Sequence, residues 1–353
     1  MTDAFRIAEE SLARFCIEAL MASSVPEADA RETTAAMIFA DKRGIASHGC
    51  SVLPGYMHHL RLGNINARPN ARILADEAAY AIVDGDGGLG PVTAARCARI
   101  AIEKAARSAT AFVAARNSNH FGAGSYYALI MSEAGMIGEA ISNAPPVMAP
   151  TGSRERALGN NPYAVAAPTR GRPPFVFDMA TSVVAGRKVI AAAEAEKTVP
   201  LGWLLDPLGN PSTDPRDFTR GGALVPFGGH KGYGLALAFE VFAGVLTGAG
   251  IGSEIQGRTH EPAGGVGHVF RAVNVSAFMP LEAFHDRMDL LIDQMKAAGK
   301  APGVSDILIP GEMAHRNEMA SNALGVPLAK ETLKALTGLA STLGIDPPNA
   351  HTP

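Results

Sequence analysis

A chain of 353 residues, 47% hydrophobic and 18% charged, is long enough to bury the cores of two or three domains. Its formal net charge of −3 comes without a basic stripe, which argues against a nucleic-acid-binding protein. The most apolar segment, 234–250, contains Glu240 and is too short to span a bilayer.

The N-terminal residues mix acids with bases and lack the layout of a signal peptide. The three cysteines, Cys16, Cys50 and Cys97, have no paired spacing, which predicts free thiols in a reducing compartment. We therefore expect a cytoplasmic protein that binds neither nucleic acid nor a membrane.

The chain begins with helical patterns. Apolar residues at three- and four-residue spacing predict helices over 5–22, 26–41 and 51–62. From residue 72 the pattern changes to short β-prone runs with helical stretches between some of them. Strands are predicted over 71–75, 79–83, 110–115, 137–142, 163–167, 174–178 and 269–277, and helices over 91–107, 124–134, 182–195, 231–247, 280–298 and 328–343.

Strands and helices do not alternate regularly, so the repeated βαβ arrangement of a Rossmann domain is not indicated. The pattern predicts an α+β fold. Helices from both chain ends, 1–73 and 282–353, are expected to form one domain, with an α+β domain at 74–281 inserted between them.

A literal G-x-G-x-x-G occupies residues 85–90, between an apolar run and a helical pattern, as in a dinucleotide-binding motif. The motif also requires an acidic residue about 20 positions on to bind the ribose. Here residues 114–117 read Ala-Ala-Arg-Asn. A tight turn between strand and helix is therefore the favoured interpretation, with phosphate binding as the alternative.

Two histidines lie in polar stretches that contain glycine. His48 stands between Ser47 and Gly49, and an imidazole exchanges a proton near neutral pH, as a general acid–base group must. His120 lies in the run 116–122, where a predicted strand ends in a loop. Functional groups often lie on such loops. The alternatives are an ordinary surface histidine at position 48 and helix capping by the polar run around position 120.

Two further stretches are typical of helix starts that bind phosphate. Thr181 or Ser182 is placed to cap the helix predicted to follow, and free N–H groups there attract an anion. Capping alone is the alternative for this stretch. At 226–234 glycines allow close approach to a ligand, and Lys231 at a helix start opposes the helix dipole unless an anion is bound. The sequence contains no zinc-binding spacing and no P-loop, so no metal site is expected.

Several motifs, taken in order, resemble those of the type 2 malate/L-lactate dehydrogenase family. They are RGIASHG, SNHFGAGSYY, GNNPYAVAAP, FDMATSVVAGRK, VPLGWLLD with STDP, PFGGHKGYGLAL and a closing PGE. The resemblance runs from about residue 5 to 345. It implies an NAD- or NADP-dependent oxidoreductase and a homodimer, with a mostly antiparallel, non-Rossmann sheet in the cofactor domain. It also implies that residues 85–90 do not hold the cofactor.

The resemblance further implies roles for individual residues. His48 matches the histidine that donates a proton to the substrate oxygen, and His120 matches a second acid–base histidine. Cofactor contacts are implied for Asn143, Ala144, Phe177, Asp178, Met179, Ala180, Thr181, Ser182, His230, Lys231, Gly311 and Glu312.

One position departs from the family pattern. Many members carry an arginine four residues after the first histidine, which can clamp a substrate carboxylate through two parallel hydrogen bonds. This chain has Val52 there. We therefore expect the substrate to contact Ser47 and Val52. Either Arg43 or another group binds the substrate carboxylate in place of the missing arginine, or the substrate itself differs.

The expected reaction is reversible hydride transfer between NAD or NADP and a small carboxylate substrate. It would interconvert a 2-hydroxy acid and its 2-oxo acid, or a cyclic amino acid and its imine. Two alternatives stay open: a non-catalytic binding protein that kept the fold, and a hydrolase or transferase with Cys50 as nucleophile near His48.

Overall fold

The structure of the protein, a computed structural model, describes residues 4–256 and 264–351. Parts of the predicted domains, at 1–3, 257–263 and 352–353, lie outside the described residues. The helices are α1 (Glu9–Ala22), α2 (Glu27–Lys42), α3 (Leu53–Leu62), α4 (Gly90–Ser108), α5 (Gly124–Glu133), α6 (Gly186–Glu194), α7 (Arg216–Thr219), α8 (His230–Glu240), α9 (Leu281–Lys296), α10 (Glu312–Leu324) and α11 (Lys330–Leu343). The strands are β1 (Ala4–Ile7), β2 (Arg72–Asp76), β3 (Tyr80–Asp84), β4 (Thr110–Ser118), β5 (Met136–Ser142), β6 (Tyr163–Ala167), β7 (Phe175–Met179), β8 (Leu204–Leu205), β9 (Pro211–Ser212), β10 (Ala223–Leu224), β11 (Val266–Asn274), β12 (Val326–Ala329) and β13 (Ala350–His351).

Within the described residues, the largest sheet has seven strands in the order β2-β3-β4-β11-β5-β6-β7. Its β3–β4 pair is parallel, with Ile82 opposite Ala114. The other neighbouring pairs of this sheet are antiparallel. The mixture of helices with a mostly antiparallel sheet confirms the predicted α+β class.

Side chains along β4 alternate between the two faces of the sheet, as the pleat requires. On one face Val113 and Ala115 pack in a cluster with Ala98 of α4. On the other face Ala114 packs with Phe239 of α8. The sheet is therefore covered by helices on both sides, and the short alanine side chains of α4 let that helix lie close to the strands.

The two ends of the chain share a second core. β1 pairs with both β12 and β13 in antiparallel orientation. Phe15 of α1, Tyr56 of α3 and Leu336 of α11 are buried in one apolar cluster. Helix α10 packs against the end of α2, where the Ser321 hydroxyl donates to the Lys42 carbonyl oxygen at 3.2 Å. The domain bounds 1–73, 74–281 and 282–353 stay a prediction.

Several predicted elements need correction. Residues 4–7 form β1 rather than the start of a helix, because their backbone pairs with strands more than 300 positions later. The helix predicted over 182–195 begins only at Gly186. The helix predicted over 231–247 changes at residue 241 to a π-helical turn, Val241–Val245. Helix α10 and the small sheet with strand order β10-β8-β9 were not predicted at all.

One expectation from composition is met in the described part of the chain. Cys16, Cys50 and Cys97 are free thiols, and all three are buried. Among the described helices, none has the length together with the hydropathy that crossing a membrane requires.

Candidate active site

The two predicted acid–base histidines lie together, although 72 positions separate them in sequence. The rings of His48 and His120 are stacked, with centroids 5.4 Å apart and an angle of 18° between their planes. Both side chains are half-buried. Two imidazoles in such proximity can pass or share a proton in a partly dry environment.

His48 lies in the turn that follows α2. Its Nδ1 forms a 2.8 Å hydrogen bond with the Ser47 hydroxyl. Its main-chain N–H donates to the Ile45 carbonyl oxygen at 2.9 Å. A hydrogen bond at Nδ1 fixes the orientation of the ring.

Tyr56 is a residue of this site that sequence reasoning missed. Its hydroxyl forms a 2.8 Å hydrogen bond with Nδ1 of His120 and lies 3.3 Å from the carbonyl oxygen of the same residue. Tyr56 is 1% exposed and packs in the core formed by the chain ends. Tyr56, on helix α3 in the core formed by the chain ends, therefore orients the imidazole of His120, which follows β4 of the seven-stranded sheet. The only sequence signal was a tyrosine in a predicted helix, which does not distinguish it from a core residue.

The glycine motif at 85–90 lies under the loop that carries His120. The Asn119 side-chain amide donates to the carbonyl oxygens of Gly87 and Gly88, both at 2.9 Å. Gly87 has a φ of +67°, which favours glycine. The turn interpretation of this motif is therefore supported, and the turn shapes the backbone beneath His120.

A buried histidine supports the same loop. His268, in the centre of the sheet, bonds at 2.9 Å to the hydroxyls of both Ser118 and Ser142. Its ring stacks on Phe121 with centroids 4.7 Å apart and an angle of 4°. Burial lowers the pKa of His268 to about 3, so the ring is neutral near pH 7. Sequence reasoning missed this residue because a lone histidine in a β-prone run carries no positional signal.

Arg43 is a buried cation at the end of α2. Its Nη1 pairs with the Glu318 carboxylate of α10 at 2.5 Å, and its guanidinium lies 5.1 Å from the ring centre of Phe39. Its Nε and Nη2 donors have no hydrogen-bond partner among the described residues. Arg43 thus links α2 to α10.

Val52 lies in a different setting from the one expected. We expected a helix beginning near Gly49 that would place positions 48 and 52 on one face. The structure instead has a 3₁₀ turn at Cys50–Val52, and α3 begins at Leu53. Val52 is 1% exposed and packs in the core formed by the chain ends. The four-residue spacing therefore does not align it with His48, and its contact with a substrate stays a prediction.

The segment Phe177–Ser182 does not start a helix, so the capping role expected for Thr181 or Ser182 is wrong. Instead, the Thr181 N–H donates to the Asn160 carbonyl oxygen, and its own carbonyl oxygen accepts from the Phe227 N–H, both at 3.0 Å. The Ser182 hydroxyl donates to the Val184 carbonyl oxygen at 2.7 Å. The segment is an extended strip, because main-chain bonds to two neighbouring loops replace helical ones.

The ends of this strip carry usable polar groups. At its start, Asp178 accepts a 2.9 Å hydrogen bond from the Ser125 N–H, at the first turn of α5. Further on, the Thr181 hydroxyl is buried and lacks a partner within the described chain. Phe177 is 36% exposed, and Met179 and Ala180 are half-buried. The strip therefore offers both apolar and polar surface to a ligand.

Asn143 and Ala144 lie beside this strip but act through different groups. The Asn143 amide is fully engaged, since Oδ1 accepts from the Gly267 N–H and Nδ2 donates to the Gly250 carbonyl oxygen, each at 2.9 Å. The Ala144 N–H donates to Oδ1 of Asn161 at 3.0 Å. A ligand can meet the half-buried face of Ala144, whereas the Asn143 side chain holds the backbone in place.

The N-terminus of α8 presents an exposed cation. His230 and Lys231 are exposed, and they follow Gly228 and Gly229, whose φ angles are +58° and +62°. A lysine at a helix start, where the positive end of the helix dipole lies, favours a bound anion. This observation supports the predicted phosphate contact at His230 and Lys231.

Gly311 and Glu312 meet β7 from the far end of the chain. The Val176 N–H donates to the Pro310 carbonyl oxygen at 3.0 Å, and Gly311 has a φ of +98°. The Glu312 carboxylate accepts from Lys296 at 2.8 Å and from the Ile309 N–H at 3.1 Å. The structure therefore brings this segment next to the strip 177–182, with its carboxylate already paired.

One predicted alternative, a cysteine nucleophile, can be compared with these groups. Cys50 is fully buried, and its hydrogen bond with Cys16 together with burial raises its pKa well above the usual range. A protonated, inaccessible thiol does not support a cysteine nucleophile. Over the described residues there is no group of three or more metal-ligating side chains.

The structure thus brings two histidines together and places an exposed lysine at the start of α8. Comparison with known proteins identifies the family. Residues 7–337 match the malate/L-lactate dehydrogenase family, and the chain belongs to that family.

The relatives include malate dehydrogenase from Pyrococcus horikoshii, 38% identical over 348 residues that cover 97% of this chain and 96% of that protein. L-sulfolactate dehydrogenase from Methanocaldococcus jannaschii is 38% identical over 338 residues, which cover 96% of this chain and 97% of that protein.

Solved structures show the same fold. Malate dehydrogenase from Pyrococcus horikoshii OT3 superposes with a TM-score of 0.91 at 35% identity, covering 98% of both chains. The Δ1-piperideine-2-carboxylate reductase of Pseudomonas syringae pvar. tomato superposes with a TM-score of 0.86 at 28% identity, covering 95% of this chain and 99% of that one. The protein is accordingly a dehydrogenase that depends on a pyridine nucleotide.

Proposed function

We propose that the protein reduces a small 2-oxo acid, or a cyclic imine beside a carboxylate, and catalyses the reverse oxidation. The observation that carries the proposal is the stacked pair of half-buried histidines, His48 and His120. The names of the relatives, which act on malate, sulfolactate and piperideine-2-carboxylate, support this substrate class.

His48 is the proposed proton donor. The Ser47 hydroxyl at Nδ1 holds the imidazole so that Nε2 can face the oxygen or nitrogen that gains a proton. His120, held by Tyr56 at its own Nδ1, is placed to orient or share that proton. When bound, the nicotinamide supplies the hydride.

The pyridine nucleotide fits the residues present. An exposed lysine at the start of α8 would otherwise oppose the helix dipole, and a phosphate there removes that conflict. The buried Thr181 hydroxyl, unpartnered within the described chain, calls for a hydrogen-bond partner. We assign cofactor binding to Ala144, the strip 177–182, His230 with Lys231, and Gly311 with Glu312. The main chain at Asn143 completes the wall. Both NAD and NADP remain candidates.

Arg43 is the proposed substrate anchor in place of the family arginine that Val52 replaces. A buried donor left unpaired costs about 1–3 kcal/mol, and a carboxylate would satisfy Nε and Nη2 of Arg43 together. Ser47 would complete the substrate wall. Val52 is almost fully buried, so it would lie behind this wall and supply no charge to it.

The remaining proposals concern the assembly. We propose that the sheet forms a non-Rossmann cofactor domain inserted between the two chain ends, because the ends share one core. We also propose a cytoplasmic homodimer. Leu290, Leu291 and Met295 of α9 are each about half exposed, at 50%, 50% and 48%, and a partner subunit would cover them.

A substrate panel tests the proposal. Pyruvate, oxaloacetate and Δ1-piperideine-2-carboxylate are each mixed with NADH and with NADPH, and the loss of nicotinamide absorbance is followed. Turnover of at least one acceptor is expected. Nucleotide binding by fluorescence without turnover of any 2-oxo acid or imine would contradict the proposed substrate class.

A further inference from the structure

Asp41 is a buried carboxyl that the proposed mechanism does not use. It lies in the last turn of α2 and is 2% exposed. Its Oδ2 accepts a hydrogen bond from the Cys50 main-chain N–H at 2.7 Å. Because Cys50 is two residues after His48, this bond ties the end of α2 to the backbone that carries the proposed acid.

Gly49, the residue between His48 and Cys50, leaves room for the Asp41 carboxyl. A Cβ at Gly49 would lie 1.8 Å from Oδ1 of Asp41 and 2.1 Å from its Cγ. These distances are far below van der Waals contact, so the carboxyl occupies the space that any side chain at position 49 would need. Gly49 is itself buried.

The turn that carries His48 is also closed by its own hydrogen bonds. The His48 N–H donates to the Ile45 carbonyl oxygen at 2.9 Å, and the Ser51 hydroxyl donates to the Ala46 carbonyl oxygen at 2.7 Å. Asp41 therefore adds a contact from α2 to a turn whose two ends are already tied together.

The carboxyl is kept at this place despite an unfavourable environment. Burial raises the pKa of Asp41 to about 7, and the Cys50 N–H opposes part of the rise. An apolar residue would fill the same space without this desolvation cost. What an apolar residue would not supply is an acceptor for the Cys50 N–H.

We propose that Asp41 is a positioning residue for His48, which sets the direction of the imidazole toward His120 by holding the Cys50 amide. The inference rests on the proposed role of His48. A displaced imidazole slows proton transfer but does not alter the cofactor or carboxylate contacts, so the effect falls on kcat rather than on KM.

Three substitutions at position 41 test it, assayed with the best acceptor of the substrate panel. Asp41→Ala is expected to lower kcat by about 10- to 100-fold, with KM and nucleotide Kd changed less than about threefold. Asp41→Leu fills the space without an acceptor and should show the same fall even if the alanine variant does not fold. Asp41→Asn keeps an acceptor oxygen and should restore kcat to within about threefold of wild type.

A double variant separates the effect of the space that Asp41 fills from the effect of its hydrogen bond with Cys50. Gly49→Ala alone should unfold or lose activity, because the new Cβ strikes Asp41. Adding Asp41→Ala removes that collision and should restore Tm toward that of the single Asp41→Ala variant, with kcat remaining low. Thr33→Val is the matched control, since Thr33 lies on the same helix at 0% exposure and its hydroxyl has no partner in the described part of the chain.

The outcomes separate this inference from the proposed function. If His48→Ala leaves activity unchanged, the proposed role of His48 fails. If His48→Ala abolishes activity while the alanine and leucine variants of Asp41 keep kcat within twofold of Thr33→Val, only the positioning role is overturned. Equal losses in the asparagine and leucine variants would also overturn it, because the acceptor would then not matter.

Discussion

Gly90 and His120 approach so closely that no side chain fits between them: a Cβ at position 90 would lie 2.2 Å from the His120 carbonyl oxygen. The Asn119 carbonyl oxygen is at 2.3 Å from the same point. The last glycine of the G-x-G-x-x-G motif is thus required where the first turn of α4 passes under the loop that carries His120.

Gly90→Ala is therefore expected to lower stability by more than about 1 kcal/mol and to reduce kcat, while nucleotide Kd stays within a few-fold of wild type. Gly87→Ala should also lower stability, because its φ of +67° strains an alanine. Urea unfolding and nicotinamide fluorescence on the same variants give both quantities.

Gly338→Ala is the control for both variants. Gly338 lies inside α11 with no heavy atom within 4 Å of the added Cβ, so alanine should be neutral or stabilising there. Normal stability with lost nucleotide binding in Gly90→Ala would instead indicate a phosphate-binding loop of the Rossmann type.

Much of the fold follows from local pattern. Strands β2 to β7 and helices α4 and α5 lie where alternating and helical spacing predict them, within a few residues. Local pattern fails where an element depends on distant partners. β1 has four residues and is stabilised by β12 and β13, which residues 5–22 read alone cannot reveal. In sequence, the hydroxyls of the strip 177–182 resemble helix caps. They do not cap a helix, because main-chain bonds to two loops keep the strip extended.

The residues of the candidate site also divide into those that local sequence predicts and those that depend on distant partners. His48 and His120 could be predicted because polar residues beside glycines are conspicuous and because the motifs resemble a family. Tyr56, Asp41 and His268 could not, since each is a buried polar residue within an ordinary helix or strand pattern, and its importance arises from a partner far away in sequence.

Arg43→Lys should raise KM for carboxylate substrates by about tenfold or more and change kcat less, because lysine cannot form two parallel hydrogen bonds. Steady-state kinetics on the acceptor panel measure this split. Arg31→Lys is the control, because Arg31 pairs with Glu27 at 2.6 Å on the same helix but both side chains are exposed. If the two variants behave alike, Arg43 does not bind the substrate.

Val52→Arg should raise kcat/KM for oxaloacetate relative to pyruvate and Δ1-piperideine-2-carboxylate, since the second carboxylate of oxaloacetate would pair with the new charge. Stability should fall, because Val52 is 1% exposed and a guanidinium there is partly desolvated. Val52→Met introduces a long uncharged side chain as the control. Equal changes on all three substrates would show that position 52 does not reach the substrate.

His268 predicts a pH dependence of stability. Its pKa is lowered from 6.5 to about 3 by burial. As the pH falls, the imidazole of the unfolded chain therefore binds a proton before that of the folded chain does. The free energy of unfolding contributed by this group is therefore present above pH 6.5 and is lost as the pH falls toward 3, by up to about 1.4 kcal/mol per pH unit. His268→Gln should make the fall shallower in urea unfolding across that window. An unchanged slope would mean that His268 is not buried neutral.

The turnover of His48→Ala tests most directly whether His48 supplies the proton in a pyridine-nucleotide-dependent reduction. The variant is compared with wild type by the loss of nicotinamide absorbance on the best acceptor, with nucleotide Kd measured by fluorescence. We expect kcat to fall by about 10²–10⁴-fold with Kd nearly unchanged. Activity within a few-fold of wild type, with the variant folded and the nucleotide bound, would contradict this role of His48.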